Sequence, residues 1–176
     1  MREVNEHLVE NSPTGMFVTL FLAILEVGTG ELRYVNAGHP PGLVLGAGRS
    51  EAERLGAGGL PVGMLGEQGY EEGRATLVPG SAAVLYSDGV TEATRADGEM
   101  YEEERLVEAL GGAFGQSAAQ VLTGLLASVD DFVAGAEQAD DISVVVVRRS
   151  PGESPLKQVE AGGTTALQVP PGASSE

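Results

Sequence analysis

Ala82-Ala83-Val84-Leu85-Tyr86-Ser87-Asp88-Gly89-Val90-Thr91-Glu92 decides how this chain is read. An apolar, β-prone run of five residues delivers an aspartate-glycine pair at its exit, as strand followed by turn. A second acidic turn, Ala139-Asp140-Asp141-Ile142-Ser143, opens the nearly all-valine run that ends at Arg148. Each turn alone is also what a solvated hairpin bend requires. Together they place carboxylates at strand ends, where one sheet edge can assemble them. Carboxylates gathered in that way suit a hard cation with oxygen ligands, typically magnesium or manganese, which activates water or clamps phosphate.

Met16 to Leu25 is apolar on both alternating faces except at Thr19, the pattern of a strand buried centrally in a sheet. Glu26 to Glu31 breaks it, and Leu32 to Val35 resumes a β pattern, giving a hairpin. Leu43 to Leu45 is a further short strand, and Gly46 to Gly66 reads as loop with one or two short strands. Arg74 to Val78 and Ala82 to Tyr86, separated by Pro79-Gly80, read as another hairpin. Val4 to Val9 forms one or two helical turns ahead of the Asn11-to-Gly15 loop. Glu102 to Leu110 is acidic at its start with an apolar stripe, a helix. Ser117 with Gln120 makes a capping box, and Val121, Leu125 and Val129 recur at helical spacing, which predicts a helix over 118–133.

Composition narrows the function. The 176 residues hold 10 basic and 26 acidic side chains, a net charge of -16, which opposes binding to nucleic acid or anionic membranes. No apolar run reaches the roughly 20 residues of a membrane span, and Met1-Arg2-Glu3-Val4 opens no signal peptide, so the sequence reads as cytoplasmic. With no cysteine, disulfides, thiolate catalysis and sulfur-bound zinc are excluded. Residues 1–149 read as one domain, and 150–176, rich in Gly, Pro and Ser without an aromatic residue, as a disordered tail. Asn36-Ala37-Gly38-His39-Pro40-Pro41 is a third polar cluster after an apolar strand; His39 there is a loop residue or a site residue.

Five segments in this order carry a resemblance. Phe17-Val18-Thr19-Leu20-Phe21, Tyr34-Val35-Asn36-Ala37-Gly38-His39-Pro40-Pro41, Gly59-Leu60-Pro61-Val62-Gly63, Tyr86 to Ala93 and Asp140-Asp141-Ile142-Ser143 are similar to the SpoIIE/RsbU-type branch of the PPM metal-dependent serine/threonine phosphatases. The resemblance covers about residues 3 to 149. It implies an α/β/β/α sandwich of mainly antiparallel sheets and places Asp88 and Asp140 on one metal ion, with Gly89, Asp141, Asn36 and His39 supporting. In such enzymes two Mn or Mg ions about 4 Å apart activate a water that attacks phosphorus in line.

The family's earlier aspartate-glycine motif, whose aspartate bridges the two metals, has no counterpart here. The chain is therefore expected to be an N-terminally truncated form of the domain with ligands for one metal, an exposed edge strand and an open question of oligomeric state. The implied substrate is a phosphorylated regulatory protein of the anti-anti-sigma type. The other reading is a catalytically incomplete PPM-like binding or regulatory module.

Overall fold

The computed structural model describes residues 1–46, 51–56, 58–111 and 115–151. Most of the expected tail, and part of the loop between Gly46 and Gly66, lie outside them. The elements run α1 (Arg2–Asn11), β1 (Leu20–Glu26), β2 (Glu31–Ala37), β3 (Gly42–Leu45), β4 (Glu53–Leu55), β5 (Gly73–Thr76), β6 (Ala82–Tyr86), α2 (Asp88–Thr91), α3 (Glu102–Gly111), α4 (Ala118–Val133) and β7 (Val144–Arg148).

Two antiparallel sheets form, with strand orders β1-β2-β5 and β4-β3-β6-β7. Strand alternation sends neighbouring residues to opposite faces and thereby splits the core in two. Leu32 and Ala75 of the first sheet meet Val44, Leu55 and Ala83 of the second in one cluster, together with Leu77. On the other face of the second sheet, Leu43, Val84 and Tyr86 pack against Leu106 and Leu110 of α3 and Val121, Leu125 and Val129 of α4. This is a layered sandwich with helices outside one sheet. The capping box at Ser117 and Gln120 is present in both directions, so α4 starts and ends where its sequence places it.

Two expected features come out differently. Arg74 to Tyr86 is not a hairpin: β5 pairs with β2, whereas β6 pairs with β3 and β7. The chain turns a corner between sheets at Val78-Pro79-Gly80-Ser81, closed by Ser81 N and Oγ both donating to the Val78 carbonyl at 2.9 and 2.7 Å. Leu77 on one side and Ala83 on the other are both buried, so the segment is committed to two layers. Arg149 pins the corner by donating to the carbonyls of Gly28, Thr29 and Leu77.

The second difference is β1, which is an edge strand rather than a central one, with Leu22 47% and Ile24 62% exposed. Its all-apolar sequence satisfies an inner face and an outer face, and among the described residues nothing covers the outer one.

Candidate metal centre

The pairing of β6 with β7 explains why two distant aspartates belong together. The strands run antiparallel with Tyr86 opposite Val144, so the exit of β6 and the entrance of β7 lie at the same sheet end. Asp88 is the first residue of α2, separated from the end of β6 by Ser87 alone, and Asp140 sits in the loop before β7. Both are exposed.

Ser87 joins the two turns. Its N–H donates to the Ser143 carbonyl at 2.9 Å. Its hydroxyl donates to the Asp141 carbonyl and accepts from Ser143 N–H, each at 2.9 Å. Gly89 makes the approach possible: a Cβ there would stand 2.5 Å from the Asp141 carbonyl oxygen and 3.3 Å from the Asp140 carbonyl carbon. Any side chain at 89 would push the Asp140-Asp141 backbone away from Asp88.

Each of the two carboxylates is oriented locally. Asp88 Oδ1 accepts from Gly89 N–H at 3.1 Å and Asp140 Oδ1 from Asp141 N–H at 2.7 Å, while Gln138 Nε2 donates to the Asp140 carbonyl at 2.7 Å. The ion pairs among the described residues lie elsewhere, on Arg33, Arg54, Arg74, Arg95 and Arg105. Two exposed carboxylates with no basic partner among the described residues, held on one edge, fit a magnesium- or manganese-type cation, which is commonly bound through one or two carboxylates with water and phosphate completing its shell. Among the described residues no group of three or more His, Asp or Glu side chains is placed to enclose an ion. The arrangement is a pair and not a cage.

Asn36 and His39 are placed differently. Asn36 is buried at the end of β2, with Oδ1 accepting from His39 N–H at 2.8 Å and Nδ2 donating to the His39 carbonyl at 2.9 Å. His39 Nδ1 lies 3.2 Å from Thr19 Oγ1. None of their hydrogen bonds among the described residues reaches Asp88 or Asp140; Asn36 closes its own loop. Gly38, at φ +71°, fits against Pro61, whose Cγ would lie 2.5 Å from an added Cβ, so the segments around Asn36–Pro41 and Gly59–Gly63 touch.

Three features went unread in the sequence. Ser87 had a signal, its position between a strand and Asp-Gly. The short α2 had none, since Asp88-Gly89 reads equally as a bend. Asn5 is the third: fully buried, it donates to the Leu65 carbonyl and accepts from Gly63 N–H, Gln68 Nε2 and the Tyr70 hydroxyl, fastening α1 to the 60–70 loop.

Residues 1–150 match the family model for stage II sporulation protein E (SpoIIE). The chain belongs to the SpoIIE family. It is 30% identical over 151 residues to protein IcfG of Synechocystis sp. and 28% identical over 151 residues to phosphoserine phosphatase RsbU of Bacillus subtilis, covering 85% of this chain in both cases. It spans only 24% of the length of IcfG and 44% of RsbU. The fold resembles that of the PP2C phosphatase domain of SpoIIE from Bacillus subtilis, solved with a fragment of its regulatory domain, at a TM-score of 0.68 and 21% identity, over 82% of this chain and 41% of that one. Membership of the family and the two-sheet architecture thus agree with the resemblance read from the motifs.

Proposed function

We propose that this SpoIIE-family chain forms part of a metal-dependent protein serine/threonine phosphatase, residues 1–149 being the phosphatase portion, which acts in the cytoplasm on a phosphorylated regulatory protein of the anti-anti-sigma type. The observation that carries the reading is the Ser87 stitch, which sets Asp88 and Asp140 on one sheet end. The naming of the relative RsbU as a phosphoserine phosphatase supports it.

In this reading Asp88 and Asp140 hold a Mn or Mg ion. Such an ion, when bound, neutralises phosphate charge and makes water a better nucleophile. The rest is done by the chain. Gly89 leaves room for the Asp140 backbone, Ser87 locks the spacing of the two turns, and Asp141 takes part through its carbonyl. A surface with net charge -16 repels a phosphorylated substrate except where a cation is held, which makes the aspartate pair the place of approach. A second reading, a regulatory binding module with the fold but without turnover, is favoured by one observation: the described residues offer a carboxylate pair without further acidic or histidine ligands.

A thermal-shift titration with Mn separates outcomes. The wild-type chain is expected to gain stability with Mn, and Asp88→Asn with Asp140→Asn to abolish the gain. An undiminished gain in that double variant rules out the ligand assignment. Mn-dependent release of phosphate from a phosphoserine protein, lost in Asp88→Ala, favours the enzyme; metal binding with no release favours the module.

A further inference from the structure

Beside the aspartate pair lies a cavity of about 270 Å³ that the phosphatase reading does not use. Its walls come from three elements. Gly89 and Ala93 belong to α2 and the residues after it, Val129, Asp130 and Val133 to the last turns of α4, and residues 135–139 with Ile142 to the loop that carries Asp140.

The floor is apolar: Val129 and Ala93 are buried, and Val133 and Ile142 are half-buried. The mouth is anionic. Asp130 and Glu137 are exposed among the lining residues, and the lining contains no basic side chain. The C-terminus of α4 adds to this, because its last carbonyls carry partial negative charge and its last turn holds no basic residue to offset it. The helix stops at Ala134 in the left-handed region, φ 51°, followed by Gly135 at φ 85°, which swings the loop away and opens the space. Arg95, next to the lining residue Thr94, is committed elsewhere, pairing with Glu99 at 3.0 Å and lying over the Phe132 ring at 5.0 Å.

An apolar shaft with a negative mouth matches a long aliphatic side chain ending in a cation. We propose that this cavity is a specificity subsite that takes an arginine or lysine side chain of the phosphoprotein substrate, close to its phosphorylated residue. The proposal rests on the phosphatase reading for the identity of the partner. The shared wall gives the subsite its meaning: Gly89 follows Asp88, and Gln138 and Ala139 precede Asp140, so a side chain seated here fixes the register of the phosphoresidue over the carboxylate pair.

The test uses the full chain, isotopically labelled for NMR, with acetyl-arginine methylamide and the uncharged, purely aliphatic acetyl-norleucine methylamide as probes. The arginine probe is expected to shift the amides of Ala93, Thr94, Val133 and Ala136 and to bind more tightly than the norleucine probe. Asp130→Asn and Glu137→Gln, both at exposed positions, should each weaken the arginine probe by about twofold to fivefold and leave the norleucine probe unchanged. Equal affinities, or shifts scattered over the acidic surface, overturn the proposal, since net charge alone gathers guanidinium without a pocket.

Phosphoserine heptapeptides with one arginine moved through the flanking positions, measured with Mn present, test the register. One position should bind best and lose its advantage in the Asp130→Asn/Glu137→Gln variant; a flat profile overturns the assignment. The parent reading fails separately, if the phosphoserine peptides bind no better than their serine counterparts while the arginine probe still fills the cavity.

Discussion

Gly89→Ala tests the carboxylate pair without touching a carboxylate. An alanine Cβ would sit 2.5 Å from the Asp141 carbonyl oxygen, against the 3.4 Å where ordinary contact begins, so the Asp140-Asp141 backbone must retreat by about 0.9 Å. Overpacking of this kind destabilises by about 1–3 kcal/mol. Replacing a helical glycine returns about 0.5–1 kcal/mol. The net loss is about 0–2.5 kcal/mol, a fall in Tm of up to roughly 10 °C at this chain length. Gly124 in the exposed face of α4 is the internal control, because an added Cβ there meets nothing within 4 Å, and Gly124→Ala should stabilise by about 0.5–1 kcal/mol.

The larger effect falls on the metal response. Disturbing the groups that support metal ligands typically lowers affinity about 10- to 100-fold. At a Mn concentration of 100 times the wild-type Kd, binding stabilises the native chain by about 2.7 kcal/mol; a 100-fold weaker site leaves about 0.4 kcal/mol. Differential scanning fluorimetry with and without Mn should therefore show a shift of several degrees in wild type and in Gly124→Ala, and almost none in Gly89→Ala. A full Mn shift in Gly89→Ala would refute the claim that the glycine sets the distance between the two turns.

Three further predictions use other parts of the molecule. Ser87→Ala removes both side-chain hydrogen bonds across the turns and should cost about 1–2 kcal/mol in urea denaturation, with weakened Mn binding; unchanged Mn binding would mean the strand pairing alone holds the turns. Burial, and then the nearby Glu103 carboxylate, push the Tyr86 hydroxyl up to about 12 from 10.0. The folded state therefore favours the neutral phenol, a contribution complete below pH 10 and lost as pH rises from 10 towards 12; Tyr86→Phe should flatten that part of the stability profile, and an unchanged alkaline limb would remove Tyr86 as its cause. Ile24→Lys, at a 62% exposed position on an edge strand, should leave the unfolding free energy within about 0.5 kcal/mol of wild type and raise the concentration at which the chain associates in sedimentation velocity; a core-sized loss of stability would show that Ile24 is covered.

Much of this was legible because local and tertiary demands coincide. In α4 the capping box and the apolar spacing name the same sixteen residues. The two acidic turns were legible as a pair because each abuts a strand, and antiparallel pairing of those strands leaves one place for both. The corner at Pro79-Gly80 was not, since two apolar runs flanking a turn look alike whether they pair with each other or with different sheets. Asn5 gave no signal at all. It lies in a polar helix, and its burial is decided by a loop nearly sixty residues away.

The sequence of β1 conceals its edge position for a related reason, and the two sheets together explain it. Val145 and Val147 of β7 lie opposite Leu85 and Ala83, on the face that looks toward the other sheet, yet they are 55% and 36% exposed. The neighbouring Val144 and Val146 pack against the helical layer. Four strands thus face three, and the fourth keeps one covered face and one uncovered. β1 is the corresponding edge of the narrower sheet. Glu26–Glu31 pairing and the Val18–Val62 bridge direct the hydrogen bonds of the even-numbered residues toward one side, so alternation turns the N–H and C=O groups of Phe21, Ala23 and Leu25 to the free edge. The apolar alternation that reads as a central strand is the pattern of a strand able to be covered on both faces and paired on both edges. Within the described residues it meets only part of that demand, at the same seam where β7 shows its valines, and away from the helical layer that supports α2 and Asp88.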